Sequence, residues 1–173
     1  MSFLSLPAGD LYYEVSGEGE ALVLVSGFTA DHHVWDSVVA QLAQTYQVIT
    51  FDNPSCGQSY TAGNDLTVKA IAVSAIALCD HLNIEKAHFM GNSMGGSIVQ
   101  AIAHQYPDRV YKAIVCCSFS SSSRFAYLQA AYARADLFKS DASDEAMVRW
   151  AFAGIFSGDF IKAHVNELLP LFL

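Results

Sequence analysis

The sequence predicts an α/β fold in which a doubly wound, mostly parallel sheet of about six strands is followed by the start of a helical lid. Short apolar runs alternate with helical stretches of about a dozen residues as far as Ser118, a pattern typical of parallel strands joined by helices. One run, Ala21 to Gly27, is almost continuously apolar, as is usual for a strand buried on both faces of a parallel sheet. The length of 173 residues fits a single core.

The first part of the sheet is predicted from four apolar runs and one amphipathic segment. "FLSLP" and "LYYEVSG" open the sequence as two strands, and "ALVLVSG" follows as the buried third strand. The segment "HVWDSVVAQLAQTY" predicts a helix, because its apolar residues recur at helical spacing: Val34, Trp35, Val38, Val39, Leu42 and Ala43. "QVITFD" then predicts a fourth, short buried strand.

The second part of the sheet repeats this alternation of helix and strand. After the loop "NPSCGQSYTAGNDL", the strongly apolar segment "TVKAIAVSAIALCDHLN" predicts a packed helix. "KAHFMG" predicts the fifth strand, and "MGGSIVQAIAHQY" predicts a helix that ends at Pro107. "VYKAIVCCS" predicts the sixth strand.

The character of the chain changes at the serine-rich stretch "SFSSSSR", residues 118–124. Beyond it no strand-like run follows, and three aromatic-rich segments have helical character: Phe125 to Phe138, Asp144 to Phe156 and Phe160 to Leu169. We therefore divide the chain into a sheet-containing core, residues 1–121, and a partial helical lid, residues 122–173.

Composition and charge exclude several classes of partner. The formal net charge is -8, so there is no basic surface to neutralise phosphates, and binding to nucleic acid or to an anionic membrane is not expected. The N-terminus has no cationic signal region, and the longest apolar run, Ala70 to Cys79, is too short to span a bilayer. We expect a cytoplasmic protein with a small-molecule substrate.

Neither the cysteines nor the histidines form a recognisable metal motif. The four cysteines lack C-x-x-C spacing and are expected to be reduced and packed, with Cys56, in a glycine-containing loop, as the exception that could be exposed. The six histidines do not form an H-E-x-x-H pattern, and Gly17 and Gly19 lack the G-x-G-x-x-G spacing of a nucleotide site. No metal and no cofactor are therefore expected.

A G-x-S-x-G motif centred on Ser93 is the candidate catalytic feature. A strand precedes Gly91, and a helix begins before Gly95, which predicts a sharp turn with positive φ at the serine and a hydroxyl raised above the sheet edge. The two glycines would relieve crowding at this turn. An alternative stays open: a glycine-rich turn in which the serine is incidental.

These stretches resemble the α/β-hydrolase family. "GNSMGG" resembles the nucleophile elbow of that family, in a form similar to meta-cleavage C–C hydrolases and esterases. "LVLVSGFTADHHVWD" resembles the oxyanion loop after the third strand, and "FDNPSCGQS" resembles the loop after the fourth. The resemblance covers about residues 10–120. The chain departs from the family at Ser26, where a histidine is usual, and at Asn53-Pro54-Ser55, where an arginine-glycine pair is usual.

The resemblance implies roles for particular residues. Ser93 corresponds to the nucleophile, and the backbone N–H groups of Phe28 and Met94 correspond to the oxyanion hole. Residues near these positions are expected to line the pocket: Gly27, His32, His33 and Asn92.

The family's catalytic triad also needs an acid and a base, which follow the serine in the order Asp or Glu, then His. This chain reaches Leu173 inside the lid, so we expect both groups to be absent and the chain alone to be nearly inactive. The sixth strand would then expose an open edge that invites a homo-oligomer or a complementary C-terminal chain.

The function that the resemblance implies is hydrolysis of a carboxylic ester or related acyl substrate through an acyl-enzyme at Ser93. Hydrolysis of a C–C bond or an enol-lactone is a close variant that the sequence does not separate from it. The alternative is a non-catalytic fragment of the same architecture that binds a small ligand or another protein.

Overall fold

Six strands form one sheet in the computed structural model of the protein. Their bounds are β1 Ser2–Leu6, β2 Gly9–Ser16, β3 Glu20–Val25, β4 Tyr46–Phe51, β5 Ala87–Asn92 and β6 Val110–Cys116. They lie in the order β1-β2-β4-β3-β5-β6, with β1, β2 and β4 paired antiparallel and the pairs β4–β3, β3–β5 and β5–β6 parallel. The predicted number of strands and the mostly parallel character are confirmed.

The structure describes residues 2–62, 66–120, 136, 139–155, 157–168 and 170. The chain divides into two compact units, Met1–Ser120 and Ser121–Leu173. The sheet and the candidate site both belong to the first unit.

Helices cover both faces of the sheet in the first unit. They are α1 Asp36–Leu42, α2 Val68–His81 and α3 Met94–Gln105. Strand β3 shows why the sheet is doubly wound, because its side chains alternate between two apolar clusters. Leu22 and Leu24 pack with Trp35 on the side of α1, whereas Val23 and Val25 belong to the cluster that contains the apolar residues of α2 and α3.

The first helix begins later than its apolar periodicity predicts. His32–Trp35 form a short 3₁₀ helix, and α1 begins only at Asp36. The carboxylate of Asp31 accepts a hydrogen bond from the backbone N–H of His33 at 3.0 Å, which starts this tight turn. As a result Trp35 is buried, but Val34, which the spacing places on the packed face, is 47% exposed.

Strand β6 lies at one edge of the sheet, where its only partner is β5 among the strands that the structure describes. Three large side chains of this strand are exposed: Tyr111, Ile114 and Val115. The structure thus has an edge at the position where the sequence predicts one.

Two helices are described in the second unit, α4 Asp144–Ile155 and α5 Gly158–Leu168. Both agree with the predicted segments to within a few residues. The predicted helix from Phe125 to Phe138 lies outside the described residues except at Asp136. Across the described ranges, no helix has the length and apolar character needed to cross a membrane.

Candidate active site

Ser93 occupies the single residue between β5 and α3. Its backbone has φ 57° and ψ -121°, a conformation that side-chain-bearing residues rarely adopt and that costs on the order of 1 to 3 kcal/mol. Two hydrogen bonds hold it there: the Ser93 N–H donates to the Cys116 carbonyl at 3.0 Å, and the Gly96 N–H donates to the Ser93 carbonyl at 3.0 Å. The predicted positive φ at the turn is confirmed.

The two motif glycines lie where the backbone is most crowded. A Cβ atom at Gly91 would overlap the carbonyl group of Gly95, and a Cβ atom at Gly95 would overlap the carbonyl oxygen of Val25 at the end of β3. The turn therefore packs backbone against backbone, which only glycine permits at these positions. This contact places Ser93 beside the loop that follows β3.

Gly27, in that loop, lies directly against the serine. A Cβ atom at position 27 would be 3.3 Å from the Ser93 Cβ, 3.4 Å from the Asn92 carbonyl oxygen and 3.8 Å from the Ser93 Oγ. The loop turns back at once, because Thr29 has φ 64° and the Ala30 N–H donates to the Gly27 carbonyl at 3.4 Å. The Phe28 side chain is exposed.

Met94 is the first residue of α3, immediately after Ser93. The first N–H groups of a helix have no partner within the helix and lie at its positive end. Phe28 directly follows Gly27, and Met94 directly follows Ser93, so the two candidate donors come after residues that lie close together. Their assignment as oxyanion donors remains a prediction.

Ser26 and Asn53, which lie at the two positions where the chain departs from the family pattern, are hydrogen-bonded to each other. The side-chain amide of Asn53 donates to the Ser26 carbonyl at 3.0 Å, and both residues are fully buried. The Ser26 hydroxyl donates to the Asp31 carbonyl at 3.0 Å and accepts from the indole N–H of Trp35 at 3.1 Å. These side chains fix the two ends of the loop between residues 26 and 31, a role that the sequence analysis did not identify.

His32 is bound to a buried carboxylate. Its ring is 4% exposed, and Nδ1 lies 2.7 Å from Oδ1 of Asp52, which also accepts the His32 backbone N–H at 2.8 Å. The other oxygen, Oδ2, accepts the Gln58 N–H at 2.7 Å. Asp52 is fully buried, and three donors therefore surround it, as a buried carboxylate requires.

His33 is exposed, and its Nδ1 lies 3.0 Å from Oδ2 of Asp36. The hydrogen bond to that carboxylate raises the pKa of His33. Five histidines lie in the first unit, and none of their rings is hydrogen-bonded to Ser93 among the residues described there. The expectation that His32, His33 and the half-buried Asn92 line the pocket stays a prediction.

Cys56 is the alternative nucleophile that the loop after β4 offers. The expectation that it could be exposed is not met, because the residue is half-buried, and burial raises the pKa of its thiol. Since the thiolate is the reactive form, Cys56 is a poor nucleophile at neutral pH. Cys117, which the sequence predicts to be packed, is instead exposed, because it lies just past the end of the edge strand β6.

Within the part of the chain that the structure describes, one group of side chains could hold a metal ion. Asp31, His32 and His33 each offer one ligand atom, and these three atoms lie within 4.8 Å of one another. The sequence analysis missed this group because two adjacent histidines after an aspartate match none of the spaced metal motifs.

Comparison with known proteins identifies the family of the chain. A family model described as the alpha/beta hydrolase fold matches residues 20–147. The chain is 36% identical over 119 residues to a zearalenone hydrolase from Bionectria ochroleuca, which covers 65% of the chain and 45% of that protein. It is 29% identical over 150 residues to 3-oxoadipate enol-lactonase 2 from Acinetobacter baylyi, which covers 83% of the chain and 55% of that protein.

Among solved structures, the enol-lactonase from Burkholderia xenovorans LB400 is similar with a TM-score of 0.81 and 22% identity, over 99% of this chain and 65% of that one. At this identity the likeness shows the fold alone. The chain spans about half the length of the curated relatives named above, so the fold is truncated relative to these proteins. Because the family model matches well over half of the chain, the protein belongs to the alpha/beta hydrolase fold family.

Proposed function

We propose that Ser93 is the nucleophile of a hydrolase that cleaves carboxylic esters or related acyl substrates through an acyl-enzyme. The observation that carries this proposal is the backbone of Ser93, held at φ 57° between β5 and α3 by hydrogen bonds from both sides. Strained serine conformations of this kind persist where the surroundings determine them, and they concentrate at active sites.

The proposed oxyanion hole consists of the backbone N–H groups of Phe28 and Met94. It is supported by the close approach of Gly27 to Ser93, since Phe28 and Met94 are the next residues on the two crossing segments. A donor aimed at the developing negative charge contributes about 3 kcal/mol to transition-state stabilisation. Met94 also benefits from the positive end of α3.

In the proposed reaction the Ser93 Oγ attacks the substrate carbonyl carbon, and the electrons of the C=O bond move to the oxygen in the oxyanion hole. The hydroxyl proton passes to a base, and the bond to the alcohol oxygen breaks as the alcohol is protonated and leaves. Water then hydrolyses the acyl-enzyme. The similarity to an enol-lactonase supports lactones as a form of this substrate class, in which case the alcohol stays attached to the acyl chain.

The base and its acid partner are proposed to come from polypeptide other than residues 1–173. The support comes from the first unit, where the rings of His32, His33 and His88 bind carboxylates, the ring of His81 binds the Tyr13 hydroxyl, and none of the described histidine rings binds Ser93. Loss of the base costs on the order of a millionfold in turnover in a serine hydrolase. We therefore expect this chain alone to hydrolyse esters very slowly.

The edge strand β6 is proposed to pair with a second copy or with a complementary C-terminal chain. The support is the exposure of Tyr111, Ile114 and Val115 on a strand that ends the sheet. Light scattering during gel filtration should give a mass above 18.7 kDa, and Ile114→Lys should lower it. Val73→Lys, on the exposed side of α2, is the matched control, and a monomeric wild type would contradict pairing with a second copy.

A fluorophosphonate probe tests the proposed nucleophile. Wild type should be labelled at Ser93, and added imidazole should accelerate the labelling because it supplies a base in solution. Ser93→Ala should abolish it, whereas Ser74→Ala, which alters a partly exposed serine of α2, should not. Labelling at another residue, or none with imidazole present, would favour a non-catalytic binding protein instead.

A further inference from the structure

The group formed by Asp31, His32 and His33 is not used by the proposed reaction. Its three ligand atoms lie within 4.8 Å of one another. Imidazole nitrogen and carboxylate oxygen are ligands that zinc and similar transition-metal ions take in proteins. The group lies on the segment that leaves the loop beside Ser93.

His32 has the hydrogen bond that metal-binding histidines commonly make. Its Nδ1 lies 2.7 Å from the buried carboxylate of Asp52, an arrangement that holds the proton on Nδ1 and leaves the lone pair on Nε2. The ring is 4% exposed and packs against Tyr12, with ring centroids 5.0 Å apart. Its orientation is therefore fixed before any ion binds.

The free nitrogen of His32 faces an electron-rich atom. Its Nε2 lies 3.6 Å from Oε1 of Glu14, and the same oxygen already accepts a hydrogen bond from the Tyr12 hydroxyl. A cation between these two atoms would be bound by both of them. Two ligands each about 2.1 Å from a tetrahedral zinc ion lie about 3.4 Å apart, close to this spacing.

His33, at the surface, also has its Nδ1 hydrogen-bonded to a carboxylate. Its Nδ1 lies 3.0 Å from Oδ2 of Asp36, which again leaves Nε2 for a ligand. The two imidazole rings are close, with centroids 4.0 Å apart. Because His33 is 65% exposed, an ion can reach it from solvent.

We propose that His32, His33 and the carboxylate of Asp31 bind a divalent transition-metal ion of the zinc class, with Glu14 as a further ligand. The surrounding acidic residues favour a cation over an anion: Glu14, Asp31, Asp36 and Asp52. An imidazole-rich ligand set selects Zn²⁺, Co²⁺ or Cu²⁺ over Mg²⁺. The ion would tie the end of the loop at Asp31, whose carbonyl binds Ser26, to strand β2 at Glu14.

Cobalt titration of the metal-stripped chain tests this site independently of catalysis. Co²⁺ should bind in a one-to-one complex with visible absorption bands, Zn²⁺ should displace it, and Mg²⁺ should not. His33→Ala should weaken Co²⁺ binding by at least about tenfold, the effect of losing a group that orients or supplies a ligand. His104→Ala, an exposed histidine on α3, is the matched control and should bind like wild type.

Equal Co²⁺ binding by His33→Ala and His104→Ala would overturn the proposal, because it would place the ion elsewhere, for instance on the exposed thiol of Cys117. Absence of binding by wild type would also overturn it. Circular dichroism checks that the variants are folded. Glu14→Gln, at a half-exposed position, is the second variant and should also weaken binding.

Discussion

Gly27 and Ser93 lie close together although they are far apart in sequence, and a Cβ atom at Gly27 would be 3.3 Å from the Ser93 Cβ. This proximity brings the loop after β3 beside the turn after β5, and the two strands are parallel neighbours. The carboxyl ends of such strands are where open α/β sheets bind ligands. The candidate site is therefore a product of the strand order as much as of the motif.

Gly27→Ala tests whether a reagent needs the space between Gly27 and Ser93 in order to react with Ser93. A methyl group there would crowd the Ser93 side chain at 3.3 Å, so we expect a folded protein, destabilised by about 1 kcal/mol, whose Ser93 reacts with a fluorophosphonate at least about tenfold more slowly. Gly158→Ala, where no atom lies within 4 Å of the new methyl group, is the control. An unchanged labelling rate in Gly27→Ala would show that the reaction at Ser93 does not need this space.

Comparison of Ser93→Gly with Ser93→Ala measures the backbone strain. At φ 57° and ψ -121° glycine is unstrained, whereas alanine keeps the penalty of its Cβ atom. We expect Ser93→Gly to have a free energy of unfolding about 1 kcal/mol higher than Ser93→Ala, after the greater unfolded-state entropy of glycine is subtracted. Urea unfolding checks this, and a Ser93→Gly variant less stable than Ser93→Ala by about 0.4 to 1 kcal/mol, the entropic cost of glycine alone, would mean that the turn carries no strain.

Gly95→Ala should damage the turn itself. The new methyl group would overlap the carbonyl oxygen of Val25 and lie 2.8 Å from that of Ser26, and backbone atoms of β3 and its loop cannot move aside without disturbing the sheet. We expect a loss of about 3 kcal/mol or more in the free energy of unfolding. Gly158→Ala should change it by less than about 1 kcal/mol, so similar losses in both variants would refute the account of the elbow.

Asp52→Ala should destabilise the first unit strongly. Removal of the buried carboxylate leaves the His32 ring, the His32 N–H and the Gln58 N–H without their acceptor. A loss of about 3 to 5 kcal/mol is typical when one partner of a buried polar pair is removed. Asp108→Ala, at an exposed position, should cost less than about 0.5 kcal/mol, and a similarly small effect of Asp52→Ala would show that the network contributes little.

The sheet and the elbow could be predicted because their signals are local. The uninterrupted apolar run of β3 reflects burial on both faces, and the glycines at positions 91 and 95 reflect crowding within one turn. Periodicity alone gave the wrong start for α1, because the Asp31 side chain bound to the His33 N–H begins a 3₁₀ turn first.

The surroundings of His32 could not be predicted in the same way. Its partners are Glu14 on β2 and Asp52 directly after β4, and they meet His32 only because those two strands pair antiparallel in one register. The Ser26 and Asn53 pair likewise joins two loops through the strand order. Such contacts depend on tertiary arrangement, for which spacing along the chain carries no signal.

Trapping of the acyl-enzyme tests the central claim most directly. The chain should be incubated with p-nitrophenyl butyrate, and its intact mass and peptides should then be measured. If Ser93 is the nucleophile, a single butyryl group should appear on the peptide that contains Ser93 and persist, because deacylation also needs the base; Ser93→Ala should carry none. A butyryl group on any other residue in wild type, with Ser93 unmodified, would contradict the account.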